Sequence, residues 1–295
     1  MLNLYGIYYN SYDWYFRAGF EYPFVLISAL LAVFAFGACW GSFLNVCIWR
    51  MPRRESVVTA PSHCTSCGNE IKWYDNIPVI SYIVLRGRCR VCRTPYSCRY
   101  LVVEAITGTA FVLLFLKTSL TSQLPQTVLL YFLAFWYLLG AAWIDAKFRI
   151  IPDALSLPVF IISLALCTVF PELTGQKKYW MGALSALLSS GVVYAILYLF
   201  SLAGRKLAGG RDALGLGDVK LCAVLAVLIG VCGTFFALFV ASCAGIVYGF
   251  IISAKQNRSV GKIAVPFAPF IAAGAALWMF AGNWILKLFV ALRSI

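Results

Sequence analysis

The chain has 295 residues, 62% of them hydrophobic and 12% charged, with a formal net charge of +13. With a mean hydropathy of +0.86, that composition excludes an ordinary soluble domain and reads as a polytopic membrane protein. In such a protein a basic excess reports orientation and contact with anionic head groups. Membrane lipid is therefore an expected partner and nucleic acid is not.

Residues 1–21 are rich in aromatics, among them Tyr5, Tyr8, Tyr9, Tyr12, Trp14 and Tyr15. Aromatics at this density before a span suit the lipid–water interface. The apolar run 23–49 is long enough to cross a bilayer. No basic n-region precedes it, so no cleavable signal peptide is expected. Residues 1–49 thus read as an aromatic segment plus the first span. The run closes on Gly41-Ser42-Phe43-Leu44-Asn45-Val46, where Ser42 and Asn45 could hydrogen-bond a neighbouring helix. Residues 50–100 are polar, basic and rich in Cys and Pro, and read as a small soluble domain between the first two spans.

Apolar runs then recur along 101–295. The first, 101–117, carries Glu104; the next, 127–146, ends at Asp145; and 150–169 opens with Ile151-Pro152-Asp153. After 181–203 comes a glycine-rich loop, 204–218. The block 219–253 is too long for one span, and Gly230 and Gly233 divide it in two. The last run is 264–285. The expected fold is an all-α polytopic membrane protein of about eight transmembrane helices. Eight spans put both termini on one side. Most of the 24 Lys and Arg fall in alternate loops, those holding 50–100, Lys147 and 204–220. The positive-inside rule puts these loops in the cytoplasm.

Of the 11 cysteines, Cys39, Cys47, Cys167, Cys222, Cys232 and Cys243 lie in apolar runs and read as small buried hydrophobes. Cys64-Thr65-Ser66-Cys67 and Cys89-Arg90-Val91-Cys92 are two C-x-x-C knuckles. Cys64, Cys67, Cys89 and Cys92 suit a tetrahedral zinc site, because a reducing cytoplasm disfavours a disulfide pair. The metal would be structural, since four protein ligands leave no open position, and it would staple a domain too small to have much core. His63, the one histidine, reads as a surface residue, and Cys98 as a spare thiol.

Asp145 closes one span and Asp218 opens another, both on the cytoplasmic side. An acid at a membrane edge is costly and needs a reason. Each could be a boundary residue paired with a nearby Lys or Arg, and for Asp153 that reading is preferred. At Asp218 the preceding Gly215-Leu216-Gly217 places the acid on backbone open to unusual conformations and close approach. Two close carboxylates can share one proton. The ionised one takes a proton from water while the protonated one polarises a carbonyl, which is aspartic-protease chemistry. A single histidine leaves few Ser-His or Cys-His arrangements. A transporter using the Asp pair as an ion site would need a polar path through several spans, and these spans are nearly charge-free. A membrane scaffold built on the Cys domain is the remaining class.

Several motifs in one order resemble the bacterial type IV prepilin peptidases, also called leader peptidase/N-methyltransferases. They are Gly41–Val46 with Arg50 and Pro52, both Cys knuckles, Asn76-Ile77-Pro78-Val79-Ile80-Ser81-Tyr82, Arg99-Tyr100, Val103-Glu104, Ile144-Asp145, Ile151-Pro152-Asp153, Ala213–Leu221, and Pro266-Phe267-Ala268-Pro269-Phe270. The chain departs from the family at Leu101, often Pro, and at Ala268, usually Gly. The resemblance implies an intramembrane aspartic peptidase of the inner membrane. Its catalytic pair is Asp145 and Asp218, with Gly215, Gly217, Asp153 and Lys220 as supporting residues of the site. It also implies prepilin and pseudopilin substrates, cut at the cytoplasmic face after a short basic leader. Methylation of the new N-terminus from S-adenosylmethionine would follow, associated in the family with the Cys-rich segment 50–100. Residues 101–295 would form the peptidase domain.

Overall fold

The computed structural model describes residues 23–59, 61–121, 125–207, 214–256 and 265–293. The aromatic segment 1–21 and residues 208–213 of the glycine-rich loop lie outside the described residues. Among the described residues eight α-helices follow in order: α1 (Pro23–Arg50), α2 (Ile80–Val84), α3 (Arg99–Leu120), α4 (Thr127–Phe148), α5 (Asp153–Val169), α6 (Tyr179–Leu207), α7 (Leu216–Gln256) and α8 (Ala268–Arg293). Among the described residues extended pairing is limited to two isolated bridges, His63 with Glu70 and Arg88 with Pro95.

The chain divides into two compact units, one up to Val128 and one from Leu129. The first takes in α3 as well as α1, and the reason is glycine. A Cβ on Gly37 would sit 2.9 Å from Gly108 Cα, and one on Gly41 would sit 2.8 Å from Glu104 Cα. Backbones approach that closely only where side chains are missing, the logic of a G-x-x-x-G crossing in lipid. Phe111, Leu44, Ile48, Val103 and Leu114 are buried around the crossing. At the end of α1 the Arg50 guanidinium donates to Ser56 O at 3.1 Å and Pro61 O at 3.0 Å. The chain is thereby turned out of the helix into the Cys-rich segment.

That segment repeats one small device. In the first knuckle Cys64 N–H donates to Asn69 O and Gly68 N–H to Cys64 O, both at 2.8 Å. In the second, Cys89 N–H donates to Thr94 O and Arg93 N–H to Cys89 O, at 2.9 and 3.0 Å. Each loop closes on a left-handed residue, Gly68 (φ 71°) or Arg93 (φ 61°). An ion pair between Arg90 and Asp75 (Nε to Oδ2 2.7 Å) joins the second knuckle to the turn at 73–75. The guanidinium holds the Asp75 carboxyl below its usual range.

In the second unit α7 packs on α6 and α8, and α5 packs on α6 and α7. A buried hydrogen bond between Tyr137 and Ser156 hydroxyls, 2.9 Å, ties α4 to α5. Gly274 lets α8 press on α7, since a Cβ there would lie 2.7 Å from Ala237 O. The helix α7 breaks at Gly230, whose φ of 81° and ψ of 164° belong to a region essentially confined to glycine.

Six helices among the described residues are long and apolar enough to cross a membrane, and the protein is a multi-pass membrane protein. The expected count of eight spans is not confirmed at two places, both of them apolar helix. Helix α5 has 17 residues, at the lower limit of a span, roughly 17–25 residues. The first arm of α7, 216–229, is only about 21 Å long at 1.5 Å per residue, against a hydrocarbon core of about 30 Å.

Candidate active site

Asp145 lies in the last turn of α4 and is buried, with 7% of its surface exposed. Its Oδ2 accepts the N–H of Ala268 at 3.1 Å. Ala268 is the first residue of α8, where main-chain N–H groups have no partner inside the helix. The neighbouring prolines, Pro266 and Pro269, have no N–H to offer, and Phe270 and Ile271 spend theirs on Phe267 O at 3.1 Å. The Ala268 amide is therefore free to hold the carboxylate.

Helix α4 ends just past Asp145. Arg149 N–H donates to Asp145 O at 3.0 Å, and Arg149 takes the left-handed conformation with φ 58°. Such helix ends favour glycine, and an arginine there costs about 1–2 kcal/mol. The turn sends the chain through Ile150, Ile151 and Pro152 into α5, whose first residue is Asp153.

Asp218 stands in the first turn of α7 and is half-buried. Both flanking glycines have a reason in this geometry. A Cβ on Gly215 would lie 3.3 Å from Asp218 Oδ2, crowding the carboxylate. One on Gly217 would lie 3.4 Å from Ile151 Cβ, where the start of α7 seats on the α4–α5 loop. Ser201 Oγ anchors the approach by donating to Leu214 O at 2.7 Å.

A cavity of about 400 Å³ is lined by Asp145, Arg149, Ile151, Asp153, Asp218 and Lys220, with Gly215 and Gly217 on its wall. Residues 73 positions apart in sequence thus meet at one opening, and the Asp145 and Asp218 carboxylates are near enough to interact electrostatically. Asp153 and Lys220 pair with each other. Lys220 Nζ lies 2.8 and 3.0 Å from the two carboxylate oxygens, and both side chains are largely exposed. The boundary-pair reading of Asp153 fits this placement, although its partner comes from another helix. Sequence reasoning passed over the Ala268 amide, which is backbone and leaves no side-chain signal. Arg149, four residues after Asp145, is one of the nearby basic residues that the boundary-pair reading offered.

The first unit carries the other cluster. The sulfurs of Cys64, Cys67, Cys89 and Cys92 all lie within 4.8 Å of one another and could hold one metal ion. Cys64 Sγ and Cys92 Sγ are 3.8 Å apart. A tetrahedral ion with metal–sulfur bonds of about 2.3 Å spaces its sulfurs by about 3.8 Å. The N–H groups of Cys92 and Val91 draw the Cys89 thiol down to about 6, toward the thiolate a metal requires. His63 is exposed and lies with Nδ1 3.3 Å from Pro61 O.

Two family profiles match the chain. Residues 35–118 match the bacterial peptidase A24 N-terminal domain, and residues 131–250 match the type IV leader peptidase family. Among curated proteins, a prepilin leader peptidase/N-methyltransferase of Pseudomonas putida is 32% identical over 290 residues, covering 90% of this chain and 94% of that one. The chain belongs to the type IV leader peptidase family. A protein of the same name from Myxococcus xanthus is 34% identical over 232 residues, or 78% of this chain and 65% of that protein. One from Dichelobacter nodosus is 29% identical over 276 residues, 84% and 90% of the two chains. No solved structure matches.

Proposed function

We propose that this leader peptidase family member removes the leader peptides of type IV prepilins and pseudopilins at the cytoplasmic membrane face and then N-methylates the new N-terminus. Asp145 and Asp218 carry the cleavage. The observation that supports this most is their convergence, from the ends of α4 and α7, on one cavity. In the cavity the two carboxylates hold one proton between them. The ionised carboxylate takes a proton from water as the water oxygen attacks the scissile carbonyl. The protonated one donates to the carbonyl oxygen, giving a tetrahedral intermediate. Return of a proton to the leaving nitrogen breaks the C–N bond. Gly215 keeps the Asp218 oxygen uncrowded, the Ala268 amide orients Asp145, and the Asp153–Lys220 pair braces α5 against α7 beside them. The cytoplasmic side is supported by the basic residues around the site, Lys147, Arg149 and Lys220.

The four Cys thiols hold one zinc ion, whose closed four-sulfur shell gives it a structural role. The methyl donor for the second step is S-adenosylmethionine.

The test is co-expression with a prepilin followed by intact mass measurement of the product. The wild type should yield a shortened, methylated pilin. Asp145→Asn and Asp218→Asn should each lower cleavage by at least about 10²–10⁴-fold, the range of general acid–base catalysis, while the protein still inserts. Normal cleavage by either variant would remove that residue from the dyad.

A further inference from the structure

The Cys-rich segment is polar, yet it presents one apolar face. Trp73, Ile77, Ile80, Ile83 and Val84 are all exposed, Trp73 to 80% and Val84 to 69%. Ile80, Ile83 and Val84 stand at the i, i+3 and i+4 positions of α2 and share one side of it, while Ser81 is buried. The Ser81 hydroxyl accepts the Ile77 N–H and donates to Tyr74 O, both at 3.0 Å. The turn at 73–75 is thereby tied to α2. Apolar side chains exposed together, rather than singly, mark an interaction site.

A buried acid fixes where this face lies. Glu104 of α3 accepts the Val79 N–H at 2.8 Å, and Ser42 of α1 bonds to the same carboxylate. Val79, the residue before α2, has φ 65°, a region that β-branched residues rarely adopt, and the carboxylate holds it there. All of these residues belong to the first compact unit. Helix α3 is of span length and starts at Arg99. Its 22 residues make about 33 Å, enough to fill the hydrocarbon core. Glu104 lies about 8 Å along the axis from Arg99. So α2 is pinned, within a side chain's reach, at the depth of about 5–10 Å to which an interfacial helix buries its apolar face.

The charge fits the same partner. From residue 71 to residue 98 there are five Lys and Arg and one acid, Asp75, and Asp75 is paired with Arg90. Lys72 precedes the apolar stretch, Arg86 and Arg88 follow it, and all three are exposed. Apolar and aromatic side chains flanked by basic ones are the make-up of a segment that lies on an anionic bilayer. An apolar protein helix would account for the face but not for the cations around it.

We propose that residues 73–84 form an interfacial anchor that lays the Cys-rich segment on an anionic lipid surface. The exposed face of α2 enters the acyl boundary, and Lys72, Arg86 and Arg88 lie among the head groups. The anchor keeps the segment from swinging away from the ends of α1 and α3 that carry it. The inference stands apart from the cleavage and methyl-transfer readings.

The test uses full-length protein in nanodiscs of phosphatidylcholine and phosphatidylglycerol in equal parts, reconstituted with a prepilin. A photo-crosslinking benzoylphenylalanine replaces Ile83, or Trp73 in a second variant. The same probe at Leu113, exposed on α3, is the lipid-facing reference. Mass spectrometry of the digested adducts identifies what each probe touches. The probes at Ile83 and Trp73 should capture lipid as the one at Leu113 does, with phosphatidylglycerol favoured at least about twofold. Lys72→Gln/Arg86→Gln/Arg88→Gln should bring the two lipids back to equal capture at Ile83. Adducts to residues 129–295, to a second copy or to the prepilin in place of lipid would overturn the proposal. So would lipid capture at Leu113 with none at Ile83 and Trp73. Equal capture of the two lipids, unchanged by the triple variant, would leave an apolar contact without the charge and overturn it as well.

Discussion

Breaking the ion pair between Asp153 and Lys220 should slow cleavage by no more than about fivefold. The pair is well formed, with Lys220 Nζ 2.8 and 3.0 Å from the Asp153 oxygens, but its side chains are 71% and 45% exposed for Asp153 and Lys220. Exposed pairs contribute about 0.2–1 kcal/mol. At about 1.4 kcal/mol per factor of ten, the upper limit corresponds to about fivefold. The pair braces the first residue of α5 against the first turn of α7, so its loss lets Asp218 drift relative to the loop below it. It moves no proton in the proposed mechanism. The assay is kcat/KM for leader removal by purified Asp153→Asn, Lys220→Met and the double variant. A double-mutant cycle should give a coupling below about 1 kcal/mol. A loss of more than about a hundredfold in Asp153→Asn alone, with Lys220→Met near wild type, would put Asp153 into the chemistry and refute a bracing role.

Two further outcomes follow from the fold. Purified protein should carry one zinc ion per chain, and a Cys64→Ser/Cys67→Ser variant should lose it, as measured by metal analysis; unchanged zinc content would rule the site out. Gly230→Ala should destabilise the protein by about 1–3 kcal/mol, because the new Cβ meets a backbone region closed to L-residues. Denaturation in mixed micelles would read this, and an unchanged midpoint would mean that the break in α7 is not needed.

Much of this fold was legible because lipid imposes a simple rule. Apolar runs must be helices, so the order of the long helices α1 and α3 to α8 and their approximate bounds follow from composition, whereas the short α2 (Ile80–Val84) inside the polar segment was not foreseen. The break at Gly230 was legible too, since only glycine tolerates that backbone. Span length was less so. The sequence marks 150–169 and 219–253 as apolar, but it does not say that α5 starts only at Asp153 or that the first arm of α7 stops after about 21 Å. The candidate site was half-legible. Asp145 and Asp218 stand out as charges at span ends, and the glycines before Asp218 mark close approach. The partner of Asp145 is a main-chain amide 123 positions away, freed by two prolines, and no residue type announces it. The pairing of Lys220 with Asp153 rather than Asp218, two positions before it, is likewise decided by where α5 begins.

That pairing has a consequence for the charge of the cavity. Five ionisable side chains line it: three acids, Arg149 and Lys220. Lys220 neutralises Asp153 by direct contact, and Arg149 lines the same cavity and acts electrostatically on Asp145. With one proton on the dyad, the pair carries a single negative charge and Arg149 balances it, so the cavity is neutral. With both acids ionised it would hold a net negative charge at a membrane edge, and with both protonated a net positive one. Charges at such depth are costly unless matched. The singly protonated dyad, the state aspartic catalysis requires, is therefore also the state in which this cavity is electrically balanced. The strained left-handed turn that carries Arg149 makes sense in that light. It places Arg149 in the lining of the cavity, within electrostatic reach of Asp145.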